Sequence, residues 1–82
     1  MRLDKFLKVS RIIKRRTVAN SACDAGRILV NGKPARASYE VKVGDILETA
    51  FGSKPFKARV TNIKEHTTKD GADMLYEILN EE

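Results

Sequence analysis

The chain has 82 residues, with 16 Lys and Arg against 11 Asp and Glu, and a formal net charge of +5. A chain of this length buries only about 60–65% of the surface that its unfolded form exposes, so we expect a thin core. No apolar run is long enough to span a membrane, and the N-terminus lacks the apolar segment of a secretion signal. One cysteine and one histidine cannot form an internal disulfide or a zinc site. We therefore expect a single cytoplasmic domain over residues 1–82, without a metal or another cofactor.

The charge is distributed unevenly along the chain. Residues 1–36 carry ten basic and two acidic side chains, a net charge of +8, whereas residues 37–82 carry six basic and nine acidic side chains, a net charge of −3. Such an asymmetry favours a polyanionic partner at one end of the molecule. The alternative is a charged surface that only keeps the protein soluble, although solubility needs no such asymmetry.

The first helix is predicted from three apolar residues that have the spacing of one helix face: Leu3, Phe6 and Leu7. Asp4 falls in its first turn, where the helix dipole favours a negative charge. We expect this helix to end near Lys8 to Ser10. The following segment, 11–14, is predicted to be a linker whose two isoleucines, Ile12 and Ile13, enter the core.

The second helix is predicted over residues 16–25, where five small or apolar residues form one narrow face: Val18, Ala19, Ala22, Cys23 and Ala25. Cys23 lies on that face, so we expect a buried apolar residue and not a reactive thiol. Gly26 fits the left-handed position that ends many helices. Arg15 stands where a capping residue is expected, so the first amide groups lack a local acceptor unless Thr17 is the cap. Free N–H groups there would suit a phosphate.

The rest of the chain is predicted to form strands, over residues 28–30, 46–51, 56–61 and 74–79. A turn at Asn31 and Gly32 follows the first of them, and Pro34 limits pairing beyond that turn. A bend at 41–45 precedes the second strand. A hairpin connection is expected at 52–55, a bulge near Asn62 and a polar loop at 66–73. On the last strand, one side is expected to carry Met74, Tyr76 and Ile78. The fold class is therefore α+β, with two short N-terminal helices packed on a small, mostly antiparallel sheet of four or five strands.

Enzymatic function is not supported by the residues. A nucleophile needs a base within hydrogen-bond reach, but His66 lies in a predicted loop, far in sequence from Cys23. No pair of carboxylates stands out for acid–base catalysis, and no glycine-rich phosphate loop of the usual spacing is present. We therefore expect a binding protein and not an enzyme.

The basic N-terminal segment is the strongest candidate for a functional surface. It places seven cationic residues within fifteen positions: Arg2, Lys5, Lys8, Arg11, Lys14, Arg15 and Arg16. Cations held on one folded surface can contact several phosphates, each contact releasing a counterion, and arginine can pair with phosphate through two hydrogen bonds. Phe6 is the only aromatic residue of this segment, and its spacing places it in the core. The segment therefore predicts binding to structured RNA through its backbone, without base stacking.

Four runs resemble the RNA-binding domain named after ribosomal protein S4: Arg-Leu-Asp-Lys-Phe-Leu at 2–7, Lys-Arg-Arg-Thr at 14–17, Ala-Gly-Arg-Ile-Leu-Val-Asn-Gly-Lys-Pro at 25–34, and Val-Lys-Val-Gly-Asp-Ile at 41–46. The resemblance covers roughly residues 1–50 and thins after Gly52. By matching positions, Arg2 and Arg16 are the strongest candidates for RNA contact. The same candidate surface includes Lys5, Lys8, Arg11, Lys14, Arg15, Arg27 and Lys33. Asn31 and Gly32 match the turn of the domain, which implies a structural role.

The chain length and the run Lys-Val-Ser-Arg-Ile-Ile-Lys-Arg-Arg-Thr at 8–17 resemble the RqcP-type factors of bacterial ribosome-associated quality control. This resemblance implies binding to a large ribosomal subunit that is obstructed by peptidyl-tRNA. A protein of this type would touch both the rRNA and the P-site tRNA as a monomer, and it would help a partner of the RqcH type to add C-terminal alanine tails.

Two other functions remain open at this point. The same domain type occurs in a heat-shock protein that rescues stalled large subunits and in factors of subunit assembly, so the fold alone does not separate these roles. A protein–protein adaptor is a third hypothesis, which would use acidic residues of the second half of the chain, among them Glu77, Glu81 and Glu82.

Overall fold

A computed structural model describes residues 1–49, 56–63 and 75–79. The described residues contain two helices, α1 (Leu3–Val9) and α2 (Arg16–Asp24), followed by five strands. The strands are β1 (Ile28–Val30), β2 (Lys33–Pro34), β3 (Ile46–Thr49), β4 (Phe56–Val60) and β5 (Tyr76–Ile78). All neighbouring strands are antiparallel, in the order β2-β1-β3-β4-β5. The predicted fold class, two helices and a small antiparallel sheet, is confirmed.

Helix α1 buries the three apolar residues that its spacing predicted: Leu3, Phe6 and Leu7. Ile13 is buried and Ile12 packs against the same core, as expected of the linker. The start of α1 is also fixed from outside the helix. The backbone N–H of Leu3 donates to the carbonyl of Tyr39 at 2.8 Å, and Val41 donates to Met1 at 2.9 Å. The N-terminus is therefore held beside residues 39–41, with an isolated antiparallel β-bridge between Arg2 and Glu40.

The face of α2 is narrower than predicted. It buries Ala19, Ala22 and Cys23, whereas Val18 and Ala25 are exposed, so the prediction for these two residues is wrong. The helix ends at Asp24, which leaves Ala25 as its C-cap beyond the last turn. Val18 is turned by about 100° from Ala19 around the helix axis, which takes it off the face that packs on the core.

The start of α2 has no local cap. Arg15 is the N-cap residue, and its side chain makes no capping hydrogen bond. Thr17 lies inside the helix, so the alternative in which it is the cap is wrong.

The β1–β2 hairpin turns at Asn31 and Gly32, which both have positive φ, 53° and 86°. Positive φ at both central residues is the type I′ geometry that matches the twist of paired strands. The register places Val30 opposite Lys33, and β2 ends at Pro34, as expected of a residue without an N–H.

The sheet turns its apolar side toward the helices, and its core residues are Ile28, Val30, Leu47, Ala58, Val60 and Leu75. After β4, the N–H groups of Thr61 and Asn62 both donate to the carbonyl of Leu75, at 2.9 and 3.3 Å. Two residues opposite one is the pattern of the predicted bulge. The predicted connections at 52–55 and 66–73, and the position of Met74, lie outside the described residues. Neither of the two helices in the described part is long and apolar enough to cross a membrane.

Candidate nucleic-acid interface

Asp4 is a buried carboxylate, 2% exposed, that joins the two helices. Its oxygens accept hydrogen bonds from Arg2 Nε at 3.2 Å and from Asn20 Nδ2 at 3.1 Å. The guanidinium of Arg16 lies beside both oxygens, with Nε 3.4 Å from Oδ2 and Nη2 3.5 Å from Oδ1. We call these four residues the Asp4 cluster. It brings together the two arginines that the sequence ranked first.

The local fold explains why these side chains meet. Arg2 is the N-cap residue of α1, and its backbone forms a bridge with Glu40. Arg16 begins α2 and Asn20 lies four residues later, so both face the same neighbour. The two helices pack in contact, and this places the first turn of α1 beside the first turns of α2.

The electrostatics of the cluster keep Asp4 ionised. Burial by itself raises the pKa of the Asp4 carboxyl, but the hydrogen bonds from Asn20 and Arg16 and the charges of Arg16 and Arg2 outweigh it. The net result is a pKa below the usual value of 3.8. The ionised carboxylate in turn fixes the direction of the two guanidinium groups.

The two arginines are anchored on one side and accessible on the other. Their side chains are 50% and 47% exposed, although each contacts the buried carboxylate. A guanidinium has five N–H donors, more than Asp4 can accept, so the remaining donors are available to an anion in solvent. Asp4, Arg16 and Asn20 also line a shallow pocket of about 450 Å³ together with Thr17 and Ser21.

Four further candidates, Lys8, Arg11, Lys14 and Arg15, are exposed along the end of α1, the turn after it and the start of α2. Lys5 lies on α1 one turn before Lys8 and is half-buried. All five lie on α1 or between α1 and the first residue of α2, Arg16.

Arg27 and Lys33 lie on other parts of the chain. Arg27 comes three residues after the end of α2 at Asp24, and at 1.5 Å per residue that end of the helix is about 12 Å from Arg16 along the helix axis. Lys33 lies on β2, where it lines a separate pocket of about 610 Å³ with Arg36 and Tyr39. Both side chains are exposed, but the structure does not bring them to the Asp4 cluster.

A second buried carboxylate, Asp45, is surrounded by different partners. It accepts hydrogen bonds from Asn31 Nδ2 at 3.1 Å, from the Tyr39 hydroxyl at 2.9 Å and from the backbone N–H of Lys42 at 2.9 Å. Asn31 also accepts a hydrogen bond from the N–H of Ile46 at 3.0 Å. We call Asp45, Asn31 and Tyr39 the Asp45 cluster. It ties the hairpin turn to the start of β3, which agrees with the structural role expected of Asn31.

Sequence reasoning missed the roles of Asp4, Asn20 and Asp45. Asp4 was interpreted only through the helix dipole, yet it is the one acidic residue among the seven cations of residues 2–16. A lone acid next to an apolar helix face, with that many possible partners, is the signal that could have identified it. Asn20, four residues after Arg16, gives a weaker signal of the same kind.

Cys23 is buried, as predicted. Burial, together with the charges of Asp4 and Asp24, raises the pKa of its thiol to about 11. The thiol is therefore protonated at neutral pH, and this agrees with a role in packing. Among the described residues, no group of three His, Cys, Asp or Glu side chains could hold a metal ion.

The model of the S4 domain family matches residues 1–47. The chain belongs to the S4 domain family. Proteins from Halalkalibacterium halodurans and Bacillus subtilis are 55% and 54% identical to it over 82 residues. The alignments cover 100% of this chain and 93% and 95% of those relatives, and both relatives are named RQC P-site tRNA stabilizing factor.

The fold of the chain is also similar to that of a solved structure. The trimeric structure of Vibrio cholerae Heat Shock Protein 15 is similar with a TM-score of 0.89 at 26% sequence identity. The superposition covers 96% of this chain and 81% of that one.

Proposed function

We propose that this protein is an RNA-binding factor of ribosome-associated quality control. It binds large ribosomal subunits that are obstructed by peptidyl-tRNA, contacts both rRNA and the P-site tRNA, and supports alanine tailing by a factor of the RqcH type. It acts in the cytoplasm as a monomer and is not an enzyme. The full-length identity to relatives named RQC P-site tRNA stabilizing factor supports this proposal, as does the family match.

The observation that carries the proposal is the Asp4 cluster. Two half-exposed guanidinium groups are fixed by one buried carboxylate. Arginines held in this way lose less conformational freedom when they bind a phosphate than free arginines do, so more of the contact energy appears as affinity. Fixed positions also select an RNA whose phosphates have a matching spacing, as a folded RNA does.

The remaining candidates extend this contact. Lys5, Lys8, Arg11, Lys14 and Arg15 add positive charge beside the Asp4 cluster, and each phosphate contact releases a counterion. Arg27 and Lys33 lie apart from it, and in our proposal they contact a second region of the RNA. The two separated sites fit a partner that presents rRNA and tRNA together.

The test is co-sedimentation of an Arg2→Ala, Arg16→Ala variant with large subunits that carry peptidyl-tRNA. A hydrogen bond to a charged group contributes about 1.5–3 kcal/mol, so the loss of two arginines should weaken binding by about 100-fold. We also expect alanine tails to disappear in cells that carry only this variant.

The matched control removes two cations from elsewhere on the molecule, by Lys57→Ala and Arg59→Ala. Both residues lie on the exposed side of β4, where Arg59 pairs with Glu77. The control changes the net charge by the same amount, and we expect binding close to that of the wild type. Circular dichroism and thermal melts establish that both variants are folded. Unchanged co-sedimentation of the Arg2→Ala, Arg16→Ala variant would contradict the proposal.

A second candidate function is large-subunit rescue of the heat-shock type, which the similarity to Heat Shock Protein 15 favours. Both functions use the same fold and the same cationic surface. Deletion of the gene separates them, because alanine tailing should stop if the first proposal is right and should continue if the protein acts only in rescue.

A further inference from the structure

Each of the two helices is followed by a residue with positive φ just past its C-cap, Gly26 after α2 and Arg11 after α1. In α2, Gly26 has φ +78°, its N–H donates to Cys23 at 3.0 Å, and the N–H of Arg27 donates to Ala22 at 2.9 Å. These two hydrogen bonds form the Schellman motif, in which the first residue past the C-cap adopts the left-handed conformation. Glycine is the usual residue there because it has no Cβ.

Helix α1 carries Arg11 at the corresponding position. Its C-cap is Ser10, and Arg11 follows with φ +66°. The N–H of Arg11 donates to Lys8 at 3.1 Å, and the N–H of Ile13 returns to the carbonyl of Leu7 at 3.1 Å. Arg11 therefore occupies the left-handed position that Gly26 occupies after α2, although the second hydrogen bond comes from Ile13, two residues after Arg11, and in α2 from Arg27, one residue after Gly26.

An arginine is strained in this conformation, because its Cβ comes too close to the following carbonyl oxygen. Asn31 is the other residue besides glycine with positive φ in the described part of the chain. Asparagine tolerates this region, and its side chain there is bonded to Asp45 and Ile46. Arginine does not share this tolerance of the left-handed region, and no side-chain hydrogen bond in the described part of the chain holds Arg11 in it.

The fold gives no internal role to the Arg11 side chain. It is exposed, and within residues 1–49, 56–63 and 75–79 no hydrogen bond or ion pair holds it. Its neighbours along the surface are cationic, with Lys8 before it and Lys14 and Arg15 after it. Backbone strain clusters at binding and catalytic sites, so a strained residue whose side chain has no partner in the described part of the chain is a candidate for a contact with a ligand.

We infer that Arg11 contacts a phosphate of the bound RNA, and that it stands at a glycine position at a cost to the stability of the free protein. This inference rests on the proposed function. Arg11 is exposed and lies in the connection between the two helices, where its guanidinium is accessible to a phosphate from solvent.

The test is an Arg11→Gly variant, measured for both thermal stability and binding. Relief of the strain should raise the melting temperature by about 4–8 °C for a chain of this size. Binding to purified large ribosomal subunits carrying peptidyl-tRNA should weaken by about tenfold, and the slope of log affinity against log salt should fall by about one phosphate contact. Stability and affinity should therefore change in opposite directions.

Two control variants isolate the two effects. Arg11→Lys keeps both the charge and the strain, so its melting temperature should stay at the wild-type value and most of the affinity should remain. Gly26→Arg places an arginine in the matched turn of α2, and it should lower the melting temperature by several degrees, because it introduces there the strain that Arg11 already carries.

The inference is overturned if Arg11→Gly binds as the wild type does, or if it does not raise the melting temperature. Its failure is distinguishable from that of the proposed function. If the wild type binds these subunits and the Arg2→Ala, Arg16→Ala variant does not, normal binding by Arg11→Gly refutes only the role of Arg11. If the wild type itself does not bind, both proposals fail.

Discussion

Two aspartates, Asp4 and Asp45, are buried among the described residues, and their carboxylates have different roles. Asp4 is 2% exposed and Asp45 is 8% exposed, so both lie inside the protein. Asp4 accepts hydrogen bonds from two arginines and an asparagine. Asp45 accepts them from neutral donors, the side chains of Asn31 and Tyr39 and one backbone N–H.

The difference shows how one kind of residue serves two purposes. The partners of Asp4 are half exposed and cationic, so this carboxylate fixes positive charge at the surface. The partners of Asp45 belong to the turn after β1 and to residues 39–42, so that carboxylate fixes the backbone before β3. We interpret the Asp4 cluster as the binding device and the Asp45 cluster as part of the rigid frame that supports it.

The largest effect on stability is expected from Asp45→Ala. The substitution removes three hydrogen bonds to a buried charged acceptor, and since part of the loss is recovered through water, the expected cost is about 3 kcal/mol. Urea unfolding measures this as a lower midpoint with an unchanged slope. At temperatures where the variant is folded, binding to large subunits should be close to normal, because none of the donors to Asp45 is a cationic side chain. A folded Asp45→Ala protein that fails to bind would contradict the interpretation that the Asp45 cluster has only a structural role.

Acid should reduce the stability that the ionised Asp4 contributes to the wild type. An Asp4→Asn variant should not show this loss, because asparagine does not titrate. The pKa of Asp4 is lowered in the folded state, chiefly by Asn20 and Arg16 against the effect of burial. A lowered pKa contributes stability that is fully present above the unfolded value near 3.8 and is lost as the pH falls through the folded value. The stability difference between wild type and Asp4→Asn should therefore be constant near about pH 6 and shrink below about pH 4.

This acid effect should be smaller than that of Asp45→Ala, because the arginines around Asp4 are half exposed and partly screened by solvent. Urea unfolding of both proteins at a series of pH values gives the two curves. If the difference in unfolding free energy between wild type and Asp4→Asn stays the same throughout the acid range, Asp4 is not held ionised by its partners.

Local patterns in the sequence were sufficient where a residue's environment depends on its near neighbours. The apolar spacing of Leu3, Phe6 and Leu7 identified the buried face of α1, and Gly26 marked the end of α2. The same reasoning failed for Val18, because the predicted face of α2 is wider than the part that the packing buries, which is limited to Ala19, Ala22 and Cys23.

The contacts of the candidate site could not be predicted in this way. Asp4 meets Arg16 and Asn20 across 12 and 16 positions of sequence, and Asp45 meets Asn31 across 14. Such pairs depend on how the helices and strands pack against one another, and the periodicity of the sequence does not determine this packing. The basic composition of the segment indicated the polyanionic partner, but the carboxylate that orders the cations became visible only in the fold.

The most direct test of the role of Asp4 is the affinity of an Asp4→Asn variant for large subunits carrying peptidyl-tRNA. The substitution removes a negative charge and raises the net charge of the protein from +5 by one. If positive charge alone governed binding, the affinity would rise. We expect it to fall by about three- to tenfold, because Arg2 and Arg16 lose the group that orients them. Equal or tighter binding by a folded Asp4→Asn protein would contradict the claim that Asp4 prepares the two arginines for RNA.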